Sequence, residues 1–204
     1  MNRFVKMLKE RPMTLIMSLP QNDAGLSRAA FDAGADVVKV HCNLTHRASK
    51  NGFGPLAEYA DTFARMLEEA TGPMGLVPGA AVEDVSRDLD TVSALPFDFF
   101  SLYVHHVPPA LLQKPQALMA ACGHDYAIEE AGQLEAVGAQ VLEASIMAPE
   151  GYGAPLSLRD VIAYRRLCQA TALPVVVPTQ RRVLPEDLPY LRGAGVKGIM
   201  IGAI

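Results

Sequence analysis

The chain has no tryptophan, few aromatic residues and only three cysteines. Cys42, Cys122 and Cys168 are an odd set without metal-type spacing. They fit reduced thiols in a cytoplasmic protein better than a disulfide framework. No apolar run approaches the roughly 18–20 residues that span a bilayer. Met1–Glu10 carries charges where a signal peptide would be apolar. No block of one charge sign appears either: the net charge is -4, and the basic run Thr45–Lys50 is short. Neither nucleic acid nor membrane is therefore an expected partner. What is present is a 204-residue chain, half of it hydrophobic, enough for one domain with a sizeable core.

Along that chain, apolar strand-like runs alternate with helical patterns. Asn2–Glu10 reads as a short leading helix. Strands are expected at Met13–Leu19, Asp36–Asn43, Gly75–Pro78, Asp98–His105, Gln116–Cys122, Gln140–Ile146, Pro174–Pro178 and Lys197–Gly202. Between them lie helical stretches: Asn22 or Asp23 to Gly34, Pro55–Ala70, Glu83–Leu95, a single turn at Pro108–Leu112, Ile128–Val137, Ser157–Ala172 and a helix opening at Leu184–Asp187. Eight strands in strict alternation predict a single-domain α/β fold over residues 1–204, a (β/α)8 TIM barrel. A last helix should follow strand eight, and it is missing from the sequence or disordered.

The second strand carries the strongest functional signal. Side chains alternate along a strand, so Val37, Lys39, His41 and Asn43 share one face and Val38, Val40 and Cys42 the other. A face that turns from apolar to reactive fits the inside of a closed barrel approaching its C-terminal mouth. Glu143, mid-strand among apolar residues, is the matching ionisable group from the opposite side. Neither group stays charged inside without a partner or water, so the two are expected to meet near the axis. Glu143 would transfer protons, with Lys39 charged rather than imine-forming and His41 beside it as a third catalytic residue. All five histidines fall at strand ends or in the loops after them. Asn43, Arg47, His105, Gln180 and Arg181 are the expected substrate binders around the mouth, and the loop Thr45–Gly54 the element covering it. Gly151, Gly153 and Gly202 would cradle phosphate by backbone N–H groups, with guanidinium help from Arg181. No cofactor is implied. A divalent metal on His41, His105, His106 and Glu143 is the alternative chemistry, though no compact ligand motif anchors it.

Several short stretches resemble the ribulose-phosphate-binding barrels, most closely the N-acetylmannosamine-6-phosphate 2-epimerase family. They are Leu15-Ile-Met-Ser-Leu-Pro-Gln21, Lys39, Glu150-Gly-Tyr-Gly153, the arginine after strand seven and Ile201-Gly-Ala-Ile204. The resemblance implies a phosphosugar-type ligand, with Gln21, Lys39 and Arg181 as binders and Gly202 near phosphate. The family's catalytic lysine at the end of strand three falls here on Leu76-Val-Pro78. Its strand-seven acid falls on Val177-Pro-Thr-Gln180. Fold and ligand class therefore carry over more readily than the epimerase reaction. The expected function is an enzyme acting on a small phosphorylated metabolite by isomerisation, epimerisation or carbon–carbon cleavage. A non-catalytic ligand-binding barrel is the other class. No motif specifies an oligomer, although a homodimer is compatible with such a barrel.

Overall fold

The computed structural model describes residues 1–46 and 49–202. Eight parallel strands close into a barrel. In chain order the elements are α1 (Arg3–Glu10), β1 (Thr14–Ser18), α2 (Ala24–Asp32), β2 (Val37–His41), β3 (Leu44–Thr45), β4 (Gly52–Phe53) and α3 (Ala60–Glu69). Next come β5 (Met74–Val77), α4 (Val82–Ala94), β6 (Phe99–Tyr103), β7 (Ala117–Cys122), α5 (Ile128–Ala131) and β8 (Val141–Ala144). The last are α6 (Leu158–Ala170), β9 (Val175–Pro178), α7 (Leu188–Ala194) and β10 (Gly198–Ile201). The barrel runs β1–β2–β5–β6–β7–β8–β9–β10 and closes where β10 pairs with β1, Thr14 opposite Gly198. β3 and β4 form a separate antiparallel hairpin.

The alternation read from β2 holds. Val38, Val40 and Cys42 pack in the layer between strands and helices. Val37 instead joins Ile16, Phe99, Met119, Val141, Val176 and Met200 inside the barrel. α1 supplies the floor: Phe4, Val5 and Leu8 enter that inner cluster, and the Phe4 ring stacks on Phe99 with centroids 3.9 Å apart. Asn2 caps α1 by accepting from the Phe4 N–H and donates 2.7 Å to the Asp98 carbonyl, fixing the helix under the strands. Gly75 leaves room for the Phe99 ring, which any Cβ at that position would overlap. Gly75→Ala is therefore expected to cost about 1–3 kcal/mol through overpacking, read from denaturant unfolding midpoints.

Most strands are trimmed by a residue or two relative to their sequence pattern, and three elements depart from it in ways that shape the site. β6 stops at Tyr103 and Val104–His106 form a 3-10 turn, so His105 and His106 follow the strand instead of ending it. Over Ile128–Val137 only Ile128–Ala131 is α-helical, with Gly132, a poor helix former, directly after it. β8 ends at Ala144 because the Ser145 N–H turns back to the Glu143 carbonyl at 3.1 Å. Between β6 and β7 the connection holds only short 3-10 turns. No helix among the described residues is long and apolar enough to cross a membrane.

Candidate active site

A cavity of about 290 Å³ opens at the C-terminal ends of the strands. Its base is polar: Lys39 from β2, Glu143 from β8, Ser18, Ser101 and Ser145. Its wall is Val77, Ala121, Pro178, Thr179, Gln180 and Met200, and its rim carries His46, Tyr103, His105, His106, Tyr152 and Gly202. The hairpin lies across one side, with Leu44, Thr45 and His46 lining the cavity. Asn51 holds it down by donating 3.0 Å to the Pro20 carbonyl.

Lys39 and Glu143 meet across the barrel, Nζ to Oε2 at 3.7 Å, with side chains only 6% and 8% exposed. Glu143 is gripped from two sides. Ser101 donates 2.9 Å to Oε2, and Ser145 donates 2.8 Å to Oε1. The turn that ends β8 is what brings the Ser145 hydroxyl back onto its near neighbour. The Lys39 ammonium makes no hydrogen bond within the described residues, and the cavity lies in front of it.

His41 closes β2 with its backbone clamped by Asn22. That side chain donates 2.6 Å to the His41 carbonyl and accepts from its N–H at 3.2 Å. The imidazole is 1% exposed, lies under the Phe53 ring at 4.7 Å, and sets Nε2 3.4 Å from the Ser18 hydroxyl. Burial, then the charge of Lys39, pushes its pKa well below the usual histidine value. The same causes lower His46, which stands 5.1 Å from His41. A histidine held neutral in the fold stabilises it above the unfolded-state pKa and loses that contribution as pH falls below about 6.5. Stability is thus expected to drop between pH 6.5 and 5, by at most about 1.4 kcal/mol per pH unit for each such histidine. His41→Phe should flatten that part of the curve, as followed by denaturant unfolding at several pH values.

The other expected site residues divide. His105, Gln180 and Gly202 line the cavity with Lys39, His41 and Glu143. Gln180 is already engaged, accepting from the Met147 N–H at 3.0 Å and donating 2.7 Å to the Tyr152 hydroxyl. Asn43 leaves the inner face. It adopts φ 56° and donates to the Pro78 carbonyl at 3.0 Å and to Asp88 at 2.8 Å, fixing the foot of the hairpin to α4. Gln21 is exposed and outside the cavity lining.

Arg181 turns away from the mouth, donating to the Gly151 carbonyl and, at 3.2 Å, to Asp160. Gly151 thereby presents its carbonyl to a guanidinium, and the Gly153 N–H is taken by the Gln180 carbonyl at 2.9 Å. Arg181, Gly151 and Gly153 therefore brace the loop after β8 against the loop after β9. Arg47 lies outside the described residues. Among the described residues, no three His, Cys, Asp or Glu side chains converge to hold a metal ion. All three cysteines are free, and burial pushes the Cys42 and Cys122 thiols up to about 12.

Sequence reasoning missed Ser18, Ser101 and Ser145. Their phase on β1 and β6, inward next to Ile16 and Phe99, was the available signal for the first two. Ser145 depends on a turn that no periodicity announces.

No protein-family model and no curated protein sequence matches the chain. Solved structures do. The tryptophan synthase A-subunit of Pyrococcus furiosus superposes with a TM-score of 0.67 at 14% identity, over 94% of this chain and 86% of that one. A candidate phosphonomutase from Burkholderia cenocepacia gives 0.66 at 18%, over 98% and 90%. The carboxyl transferase domain of Rhizobium etli pyruvate carboxylase gives 0.67 at 12%, over 98% of this chain and 41% of that one. The likeness is one of fold. This chain shares the (β/α)8 barrel of those enzymes, in which reactive groups lie at the strand C-terminal ends.

Proposed function

We propose that the chain is an enzyme that moves a proton on a small phosphorylated metabolite, in an isomerisation, an epimerisation or a carbon–carbon cleavage. The observation that carries this reading is the Lys39–Glu143 pair, buried yet facing a cavity that opens at the barrel mouth. A carboxylate fixed by two hydroxyls loses little freedom on reaction and is aimed for proton transfer. An ammonium beside it, donating no hydrogen bond among the described residues, is available to an oxyanion developing on substrate. His41, which lines the cavity beside Ser18, acts as a positioning residue through that hydroxyl. With Arg181 committed to Gly151 and Asp160, the phosphate goes to the corner of Thr179 and Gly202. A Cβ at Gly202 would meet nothing, so the backbone there lies open to close approach.

The test is exchange of carbon-bound hydrogen in D2O, followed by proton NMR over a panel of phosphorylated aldoses, ketoses and oxo acids. Wild type should wash out the hydrogen next to the carbonyl of one member, and Glu143→Gln should slow that at least a hundredfold. Equal exchange rates in the two proteins would remove Glu143 from the chemistry.

A further inference from the structure

We propose that His46 is a catalytic hydrogen-bond donor: its imidazole, protonated on Nε2 and bare on Nδ1, binds the substrate oxygen on which charge develops, alongside Lys39. The inference rests on the proton-transfer function and goes beyond it, adding a second donor to the site and giving the hairpin a chemical role.

The hairpin fixes which ring nitrogen carries the proton. His46 is tied across it by its backbone, donating 2.8 Å to the Asn51 carbonyl and accepting from the Lys50 N–H at 2.9 Å. Its Nδ1 meets the Ser49 backbone N–H at 3.3 Å and the Ser49 hydroxyl at 3.1 Å. A backbone N–H only donates, so Nδ1 accepts and has no proton. The hydroxyl is set to do the same, because its oxygen accepts from the Asn51 N–H at 3.3 Å and leaves its own hydrogen for Nδ1. The proton of the uncharged ring therefore sits on Nε2. Burial and then the charge of Lys39 work against the imidazolium, with Glu143 acting in the opposite sense. Both reactive charges are thus felt at this ring.

Its position matches that chemistry. Lys39 and His41 reach the cavity from β2, and Ser18 is the register partner of Lys39 on β1. His46 stands 5.1 Å from His41 and lines the rim of the same cavity. Its Nδ1 is held by the hairpin, and Nε2 has no hydrogen-bond partner among the described residues. When Glu143 takes a proton from the carbon next to a carbonyl, the C–H electrons form a C=C bond and the C=O π electrons move onto oxygen. Lys39 meets that oxygen with a charge. His46 meets it with a neutral N–H, which adds no second positive charge beside the lysine. The ring keeps its proton and ends the step as it began.

Two measurements on the full chain test this. Two-bond proton–nitrogen correlation spectra of nitrogen-15-labelled protein at neutral pH report the tautomer, with His46→Gln identifying the signal. A proton on Nε2 alone is expected; a proton on Nδ1, with or without one on Nε2, overturns the inference before any substrate is added. The role is tested by exchange in D2O over the same panel of phosphorylated aldoses, ketoses and oxo acids. A glutamine amide nitrogen reaches where Nε2 stands, and an asparagine amide nitrogen where Nδ1 stands. His46→Gln should therefore retain exchange within about tenfold of wild type, while His46→Asn and His46→Leu lose about a hundredfold. Melting curves identify any variant that fails to fold, and the comparison of Gln with Asn then decides. If all the variants fall alike, or none falls, the inference is overturned while Glu143 keeps its role. Exchange from no panel member by wild type removes the proton-transfer reading itself, and the role of His46 goes with it.

Discussion

Glu143→Ala is expected to lower the stability of the folded chain by about 3 kcal/mol, because it leaves the Lys39 ammonium buried without its counter-charge. For a domain of this size that corresponds to a fall in Tm of roughly 6–12 °C. Lys39→Met should cost less, about 1–2 kcal/mol, since the carboxylate it strands keeps the Ser101 and Ser145 hydroxyls. The asymmetry is a direct consequence of which partner is hydrogen-bonded. Combining Lys39→Met with Glu143→Leu removes both charges and fills the space, and it should return stability to within about 1 kcal/mol of wild type. Thermal and denaturant unfolding of the four proteins gives the coupling energy. Strict additivity would mean that the two side chains do not share one enclosed space.

The second large effect lies at the other end of the barrel. Phe4→Ala should cost about 3–5 kcal/mol, because Phe4 is fully buried and its ring closes the floor against Phe99. The loss is a cavity rather than a charge, so it should be insensitive to salt and pH. The mouth is far enough removed that ligand-induced stabilisation should persist in the variant, whereas a collapse of ligand response would tie the floor to the site. Melting curves with and without a bound phosphorylated compound separate those outcomes.

The fold was legible because its signals are periodic. Alternation along β2 put Val37 and Lys39 inside and Val38 and Val40 outside, which is how the structure has them. Lys39 and Glu143 were legible for a related reason: an ionisable residue mid-strand among apolar neighbours has few places to go. Arg181 was not. A guanidinium after a barrel strand reads as a ligand for anions, but nothing in the sequence announces that Asp160, a capping-box residue of α6, faces it. Asn43 failed similarly, because its positive φ breaks the strand alternation two residues past the end of β2. Its side chain then serves the hairpin. Local periodicity constrains which face a residue takes, whereas hydrogen bonds between loops distant in sequence decide whether a polar side chain is still free.

The arrangement has a consistent logic. α1 and the inner apolar cluster fill the barrel floor with buried side chains, and the two serines hold one carboxylate in place above it. The hairpin and the imidazoles shield the cavity from the side. A ligand that reaches the base displaces water from around Lys39 and Glu143, which strengthens every electrostatic interaction there.

The central claim is that these two charges are the reactive end of a ligand cavity. Its most direct measurement is the thermal shift produced by a panel of small phosphorylated carbonyl compounds in wild type and in the Lys39→Met/Glu143→Leu double variant. A compound at a hundredfold excess over its Kd should stabilise wild type by about 2.7 kcal/mol, and the double variant, close to wild type in stability alone, should show no shift. The same shift in both proteins would contradict the account.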